Sequence, residues 1–87
     1  MVSKKAKIVN EQGMHMRPAT DMAKLAGGFE SSVKLVYNGT PYDAKSVMFL
    51  MAACLKFGSE FEVVCEGPDE EAALKAVTEY IEAGLGD

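Results

Sequence analysis

The sequence predicts an α+β fold: an antiparallel sheet with helices packed on one of its sides, in the order β-α-β-β-α-β-α. Three observations carry this. The hydrophobic period switches along the chain between about 2 and about 3.6 residues. A glycine pair and a Gly-Pro step fall at the switches. An Asn38-Gly39 pair separates two extended segments and is the strongest short hairpin signal available. Strands with polar outer and apolar inner faces suit a sheet that is solvated on one side. The 87 residues suit one domain spanning 1–87 and leave no room for two.

The elements follow in order. Lys4 to Val9 alternates, with Ala6 and Ile8 on one face, and reads as a first strand. A polar loop containing Gly13 follows. Ala19, Met22, Ala23 and Ala26 then form a helical stripe that starts around His15 to Arg17. Pro18 is tolerated only in the first helical turn, where its missing N–H would have no partner anyway. Gly27-Gly28 ends the helix, with a left-handed cap expected. Val33, Leu35 and Tyr37 alternate in a second strand, and Thr40 to Asp43 returns beside it. Pro41 puts that return at a sheet edge. Ser46 caps a second helix that runs to about Phe57 and stops at Gly58. In Glu60 to Glu66, Phe61, Val63 and Cys65 point one way and the glutamates face water. Asp69 caps the last helix, Glu70 and Glu71 oppose the positive end of its dipole, and Ala73, Val77, Tyr80 and Ile81 form its stripe.

Composition excludes several classes of function. The net charge is −4 and the pI about 4.9, with no basic cluster. Nucleic-acid affinity depends on neutralising phosphates, so a nucleic-acid binder is disfavoured. The longest apolar run, Val47 to Leu55, is far shorter than the roughly 20 residues of a membrane helix. The N-terminus lacks the pattern of a signal peptide, so the cytoplasm is the default location. Cys54 and Cys65 lie in apolar segments and read as buried free thiols of a reducing compartment. One histidine and two separated cysteines argue against a metal site, and no cofactor motif is present.

The single histidine lies in GMHMRPAT, residues 13–20. A histidine at a helix N-terminus meets the positive dipole end, which opposes a positive ring and favours the neutral nucleophile. The emerging N–H groups could cradle a phosphoryl group on that ring. Arg17 could pair with its oxygens in a planar, charge-assisted way. Pro18 presets the turn. Such a site can accept a phosphoryl group and pass it on. It has no second acid–base partner nearby in sequence with which to activate water. The plainer alternative is a loop histidine beside a solvated arginine.

Gly13-x-His15-x-Arg17-Pro18-Ala19 resembles the active-site motif of HPr, the histidine-containing phosphocarrier family of the phosphoenolpyruvate:sugar phosphotransferase system. The resemblance extends to the chain length, the element order, the Asn38-Gly39 turn and the stretch Lys45-Ser46-Val47-Met48. It implies an open-faced β-sandwich of four antiparallel strands covered by three helices. It also implies that His15 accepts a phosphoryl group at Nδ1 from enzyme I and hands it to enzyme II A domains, assisted by Arg17. Members more often carry leucine before the histidine and alanine after it, where this chain has Met14 and Met16. They commonly have glycine at the place of Phe49.

The second helix is apolar almost all round. Val47, Leu50, Met51 and Cys54 or Leu55 can face the sheet, but Met48, Phe49 and Ala52 cannot all do so. Exposed Met and Phe suggest a partner-docking patch; the alternative is an unusually deep core. The family places its docking surface on the first two helices, which gives Met14, Met16, Thr20, Lys24, Val47, Met48, Phe49 and Met51 as candidates. Ser46 has a sufficient role as a cap. The resemblance adds regulatory phosphorylation there by a serine kinase/phosphorylase. A monomeric relay protein is expected, not a free-standing enzyme. Two other readings are compatible with the sequence. One is a regulatory relative that signals nitrogen or carbon status without serving sugar transport. The other is a small-molecule-binding α+β domain.

Overall fold

Every second residue of Glu60–Glu66 is buried, namely Phe61, Val63 and Cys65, while Glu60 and Glu66 are exposed. This strand is an interior one of the sheet, and it sets which face the rest of the chain must cover. The structure, a computed structural model, describes residues 1–86. The chain runs β1 (Val2–Lys7), α1 (Met16–Gly27), β2 (Ser32–Tyr37), β3 (Thr40–Asp43), α2 (Val47–Ala52), β4 (Glu60–Glu66) and α3 (Glu70–Glu82). The four strands pair antiparallel in the order β1-β4-β2-β3. The three helices and the open sheet form the α+β sandwich that the sequence predicts.

Register follows from burial. Ala6 lies opposite Phe61, and Leu35 opposite Val63, all on the helix side. On the open face Lys5 lies opposite Glu62 and Lys7 opposite Glu60, opposite charges that support this pairing over a slipped one. Lys4 is on the helix side, but at the sheet edge. Its amine reaches Glu82 on α3 at 3.7 Å. Asn38 and Gly39 both take positive φ, 52° and 80°, as a two-residue hairpin turn requires. β3 with Pro41 is an edge strand, as expected. Under the helices the core joins Val33, Leu35, Val63 and Cys65 to Ala19, Met22 and Ala26 of α1, Leu50 of α2, and Ala73, Val77 and Ile81 of α3. α1 packs against both α2 and α3.

Several local expectations are corrected. β1 spans Val2–Lys7, two residues earlier at both ends than the alternation suggested, because that length finds partners on β4. α1 ends without a left-handed cap. Gly28 has φ −76°, and its N–H turns back to the Leu25 carbonyl at 3.2 Å in a tightened last turn. α2 stops at Ala52, well short of Phe57. Cys54 takes φ 54°, which swings Leu55 into the core and turns its carbonyl to the Met14 N–H at 2.9 Å. A continued helix could not make that tertiary bond. The same turn leaves Cys54 exposed, contrary to expectation, while Cys65 is buried. Burial pushes the Cys65 thiol up, with Glu70 and Asp69 adding to the effect, so it stays protonated and inert.

Asp69 precedes α3, but its carboxylate makes no capping bond. It accepts hydrogen bonds from the N–H groups of Glu30 and Ser31, at 3.0 and 2.9 Å, and from the Ser31 hydroxyl. The Asp69 N–H in turn donates to Ser31 Oγ at 3.1 Å. Residue 69 therefore clamps the loop between α1 and β2 onto the start of α3. The Ser31 hydroxyl and these N–H groups hold the Asp69 carboxyl below its usual range. A depressed carboxylate stabilises the fold above its unfolded pKa of about 3.9, and that contribution is lost as pH falls through the lower folded value. Asp69→Asn is accordingly expected to melt at a lower temperature than the parent near neutral pH. The gap should close as pH drops below about 4, as followed by circular dichroism across a pH series.

Candidate functional site

The loop before α1 sets the position of the histidine. Asn10 is buried and its side-chain N–H donates to the Gly13 carbonyl at 3.0 Å. The Gly13 N–H returns to the Asn10 carbonyl at 3.2 Å. Gly13 has φ 67° and lies so close to the segment after α2 that a Cβ would be 2.6 Å from the Leu55 carbonyl oxygen. The next residue, Met14, bonds to that same carbonyl. Two loops are thus stitched together just before the chain enters α1.

His15 then occupies the N-cap position of α1 with extended backbone, and its carbonyl accepts the Ala19 N–H at 3.0 Å. The ring is half-buried, with Nε2 enclosed by protein. It does not cap the helix with its side chain. The first-turn N–H groups of Met16 and Arg17 emerge beside it, and Pro18, buried, has none to offer. Arg17 is exposed, and its Nη1 lies 3.6 Å from Asp21 Oδ2 one turn along α1. An exposed pair of this kind is worth only about 0–1 kcal/mol, so it yields readily to a stronger anion. His15 and Arg17 thus both lie at the start of α1, the histidine at its N-cap and the arginine in its first turn.

Around them the docking candidates separate. Met16 on α1, and Met48 and Phe49 on α2, are exposed, Met48 to 83%. Val47, Met51 and Thr20 are half-buried, Lys24 is exposed, and the Thr20 hydroxyl donates to the Met16 carbonyl at 2.9 Å. Met14 is the exception. It is buried in the core, drawn inward as its N–H pairs with Leu55, and so cannot form part of a docking surface. Ser46 caps α2 as expected, accepting the Phe49 N–H at 3.4 Å. With Met48, Phe49 and Ala52 it lines a shallow apolar depression of about 220 Å³.

Known proteins share this fold. The family model described as the PTS HPr component phosphorylation site matches residues 2–83. The chain belongs to the HPr family. A phosphocarrier protein HPr from Treponema pallidum (strain Nichols) is 44% identical over 77 residues, covering 88% of each chain. The crystal structure of HPr-C-His from Thermoanaerobacter tengcongensis superposes with a TM-score of 0.95 at 32% identity, over 100% of this chain and 98% of that one. A further structure, an HPr dimer from the same organism, matches with a TM-score of 0.79 at 32% identity over the full length of both chains. HPr proteins are phosphocarriers of the phosphotransferase system, not stand-alone catalysts. Among the described residues, no helix is long and apolar enough to cross a membrane.

The HPr motif was visible in the sequence, but two contributors to the site were not. Asn10 reads as a loop polar residue, and only its burial shows that it braces Gly13. The chain end reads as a fading helix. In the structure Gly86 comes up against the Arg17 guanidinium, and the repeated glycines of Gly84-Leu85-Gly86 were the available hint of a turn there.

Proposed function

We propose that this chain, acting as one domain over residues 1–87, accepts a phosphoryl group from phospho-enzyme I on His15 and passes it to enzyme II A domains. The observation that supports this is the half-exposed imidazole at the mouth of α1, two residues before the exposed Arg17. The enclosure of Nε2 supports Nδ1 as the attacking nitrogen in this reading. Its lone pair attacks phosphorus, the N–P bond forms as the donor's bond to phosphorus breaks, and no water is activated. The incoming dianion meets the first-turn N–H groups and draws Arg17 from Asp21. The second transfer runs the same step in reverse toward the acceptor.

The test is intact mass after incubation with phosphoenolpyruvate and enzyme I. A single acid-labile phosphoryl adduct is expected. Its absence from folded protein with a competent enzyme I overturns the reading. Arg17→Ala is expected to slow transfer about 10- to 100-fold, the loss of a charge-assisted contact. Its melting temperature should move little, since the side chain is exposed.

Met16, Met48 and Phe49 form the docking face in this reading, with Lys24, Thr20, Val47 and Met51 at its margin. The working unit is a monomer in the cytoplasm, because this face has to stay open to successive partners. Neither nucleic acid nor membrane is a partner. Phe49→Gly is expected to weaken partner binding without changing the attacking group. That appears as a raised KM for this protein in the enzyme I assay with little change in kcat. Unchanged KM with every partner removes Phe49 from the docking face.

Ser46 is the site for regulation by a serine kinase/phosphorylase. A phosphate there would keep an acceptor at the α2 N-terminus and add charge beside Met48 and Phe49.

A further inference from the structure

The chain continues beyond α3 by folding back on it. Gly84, Leu85 and Gly86 take φ values of 90°, 56° and 79°, three successive left-handed residues. The central one is a leucine, for which this conformation is unfavourable. The Gly84 N–H donates to the Ile81 carbonyl at 3.1 Å, and Tyr80 holds Leu85 from both sides. The Leu85 N–H donates to the Tyr80 carbonyl at 3.0 Å, and the Tyr80 hydroxyl donates to the Leu85 carbonyl at 3.0 Å. The Leu85 side chain is fully buried, which seals the turn from below.

That turn sets Gly86 against the candidate site. A Cβ at Gly86 would lie 3.4 Å from Arg17 Nη1 and 3.5 Å from Tyr80 Oη. Burial, with the Asp21 carboxylate, pushes the Tyr80 phenol up, and Arg17 pulls it back down, so the phenol lies within electrostatic reach of both members of the Arg17–Asp21 pair. That pair is long and exposed, and it cannot by itself fix the guanidinium. Packing on the turn can.

We propose that Tyr80 is a positioning residue: its hydroxyl clamps the Gly84–Gly86 turn, and the turn forms the floor that orients Arg17 toward His15. The inference rests on the reading of Arg17 as the group that steadies the transferring phosphoryl. Phenylalanine would fill the same volume, so the hydroxyl is the part of Tyr80 that this role requires.

The test uses Tyr80→Phe and, from the other side of the contact, Gly86→Ala, each in the parent and in the Arg17→Ala background. Two quantities are read: ¹⁵N relaxation of the Arg17 side chain in the unphosphorylated protein, and the rate of phosphoryl uptake from phospho-enzyme I. Tyr80→Phe is expected to loosen the Arg17 side chain and slow uptake about three- to tenfold, the scale of one hydrogen bond. The slowing is expected to vanish when Arg17 is already alanine. Unchanged Arg17 relaxation overturns the proposal, and so does equal slowing in both backgrounds, which marks Tyr80 as merely structural. A parent protein that takes up no phosphoryl group overturns the carrier reading and this inference with it. A parent that is active, with a Tyr80→Phe variant equally fast, overturns this inference alone.

Discussion

Replacing His15 by alanine is expected to abolish the acid-labile adduct while leaving the fold intact. No other imidazole exists in the chain to take its place. The backbone at position 15 is extended, φ −103° and ψ −173°, which alanine adopts without strain. The ring makes no side-chain cap to α1, so its removal does not cost the helix a capping bond. The core side chains lie elsewhere, and the stability change is expected to stay within about 1 kcal/mol. Intact mass and a thermal melt on the same sample check both halves. An adduct that persists and survives acid would point to a hydroxyl such as Ser46. An unfolded variant would make His15 a structural residue.

A large loss of stability is expected from Gly13→Ala. The new Cβ would meet the Leu55 carbonyl oxygen at 2.6 Å and Lys56 Cα at 2.9 Å, both backbone atoms that cannot rotate away. The residue also has φ 67°, a conformation that costs an alanine about 1–2 kcal/mol. Forcing the loops apart adds about 1–3 kcal/mol and threatens the Met14–Leu55 hydrogen bond. The total is about 2–5 kcal/mol, against a typical whole-domain stability of about 5–15. A fall of about 10 °C or more in melting temperature is expected. Because the same loop sets the entry of α1, phosphoryl transfer is expected to fall as well, even well below the melting point. A melt within a few degrees of the parent would show that the two loops separate easily, and that Gly13 does not hold the site.

Local signals were strong where a residue's chemistry admits few settings. Pro18 restricted the start of α1, and Asn38-Gly39 required a left-handed turn. Alternation in Phe61, Val63 and Cys65 identified the buried face. The same signals misled where a tertiary bond outweighed them. The apolar run through Cys54 looks helical to about Phe57, yet the chain breaks at Cys54 because the Leu55 carbonyl is needed by Met14. Asp69 looks like a cap, yet the N–H groups of residues 30 and 31, brought up by the sheet, take its carboxylate. Met14 looks like half of an exposed pair with Met16, but only the packed loop shows that one turns in and the other out.

The sequence by itself determined the order of the elements, the face each strand buries, and the placing of His15 and Arg17 at a helix start, because these depend on period, turn chemistry and residues close in the chain. Only the tertiary structure decided how far α2 runs, which methionines remain exposed, and that the turn clamped by Tyr80 comes to lie against Arg17. Those depend on contacts between segments distant in sequence, whose energies no local pattern records.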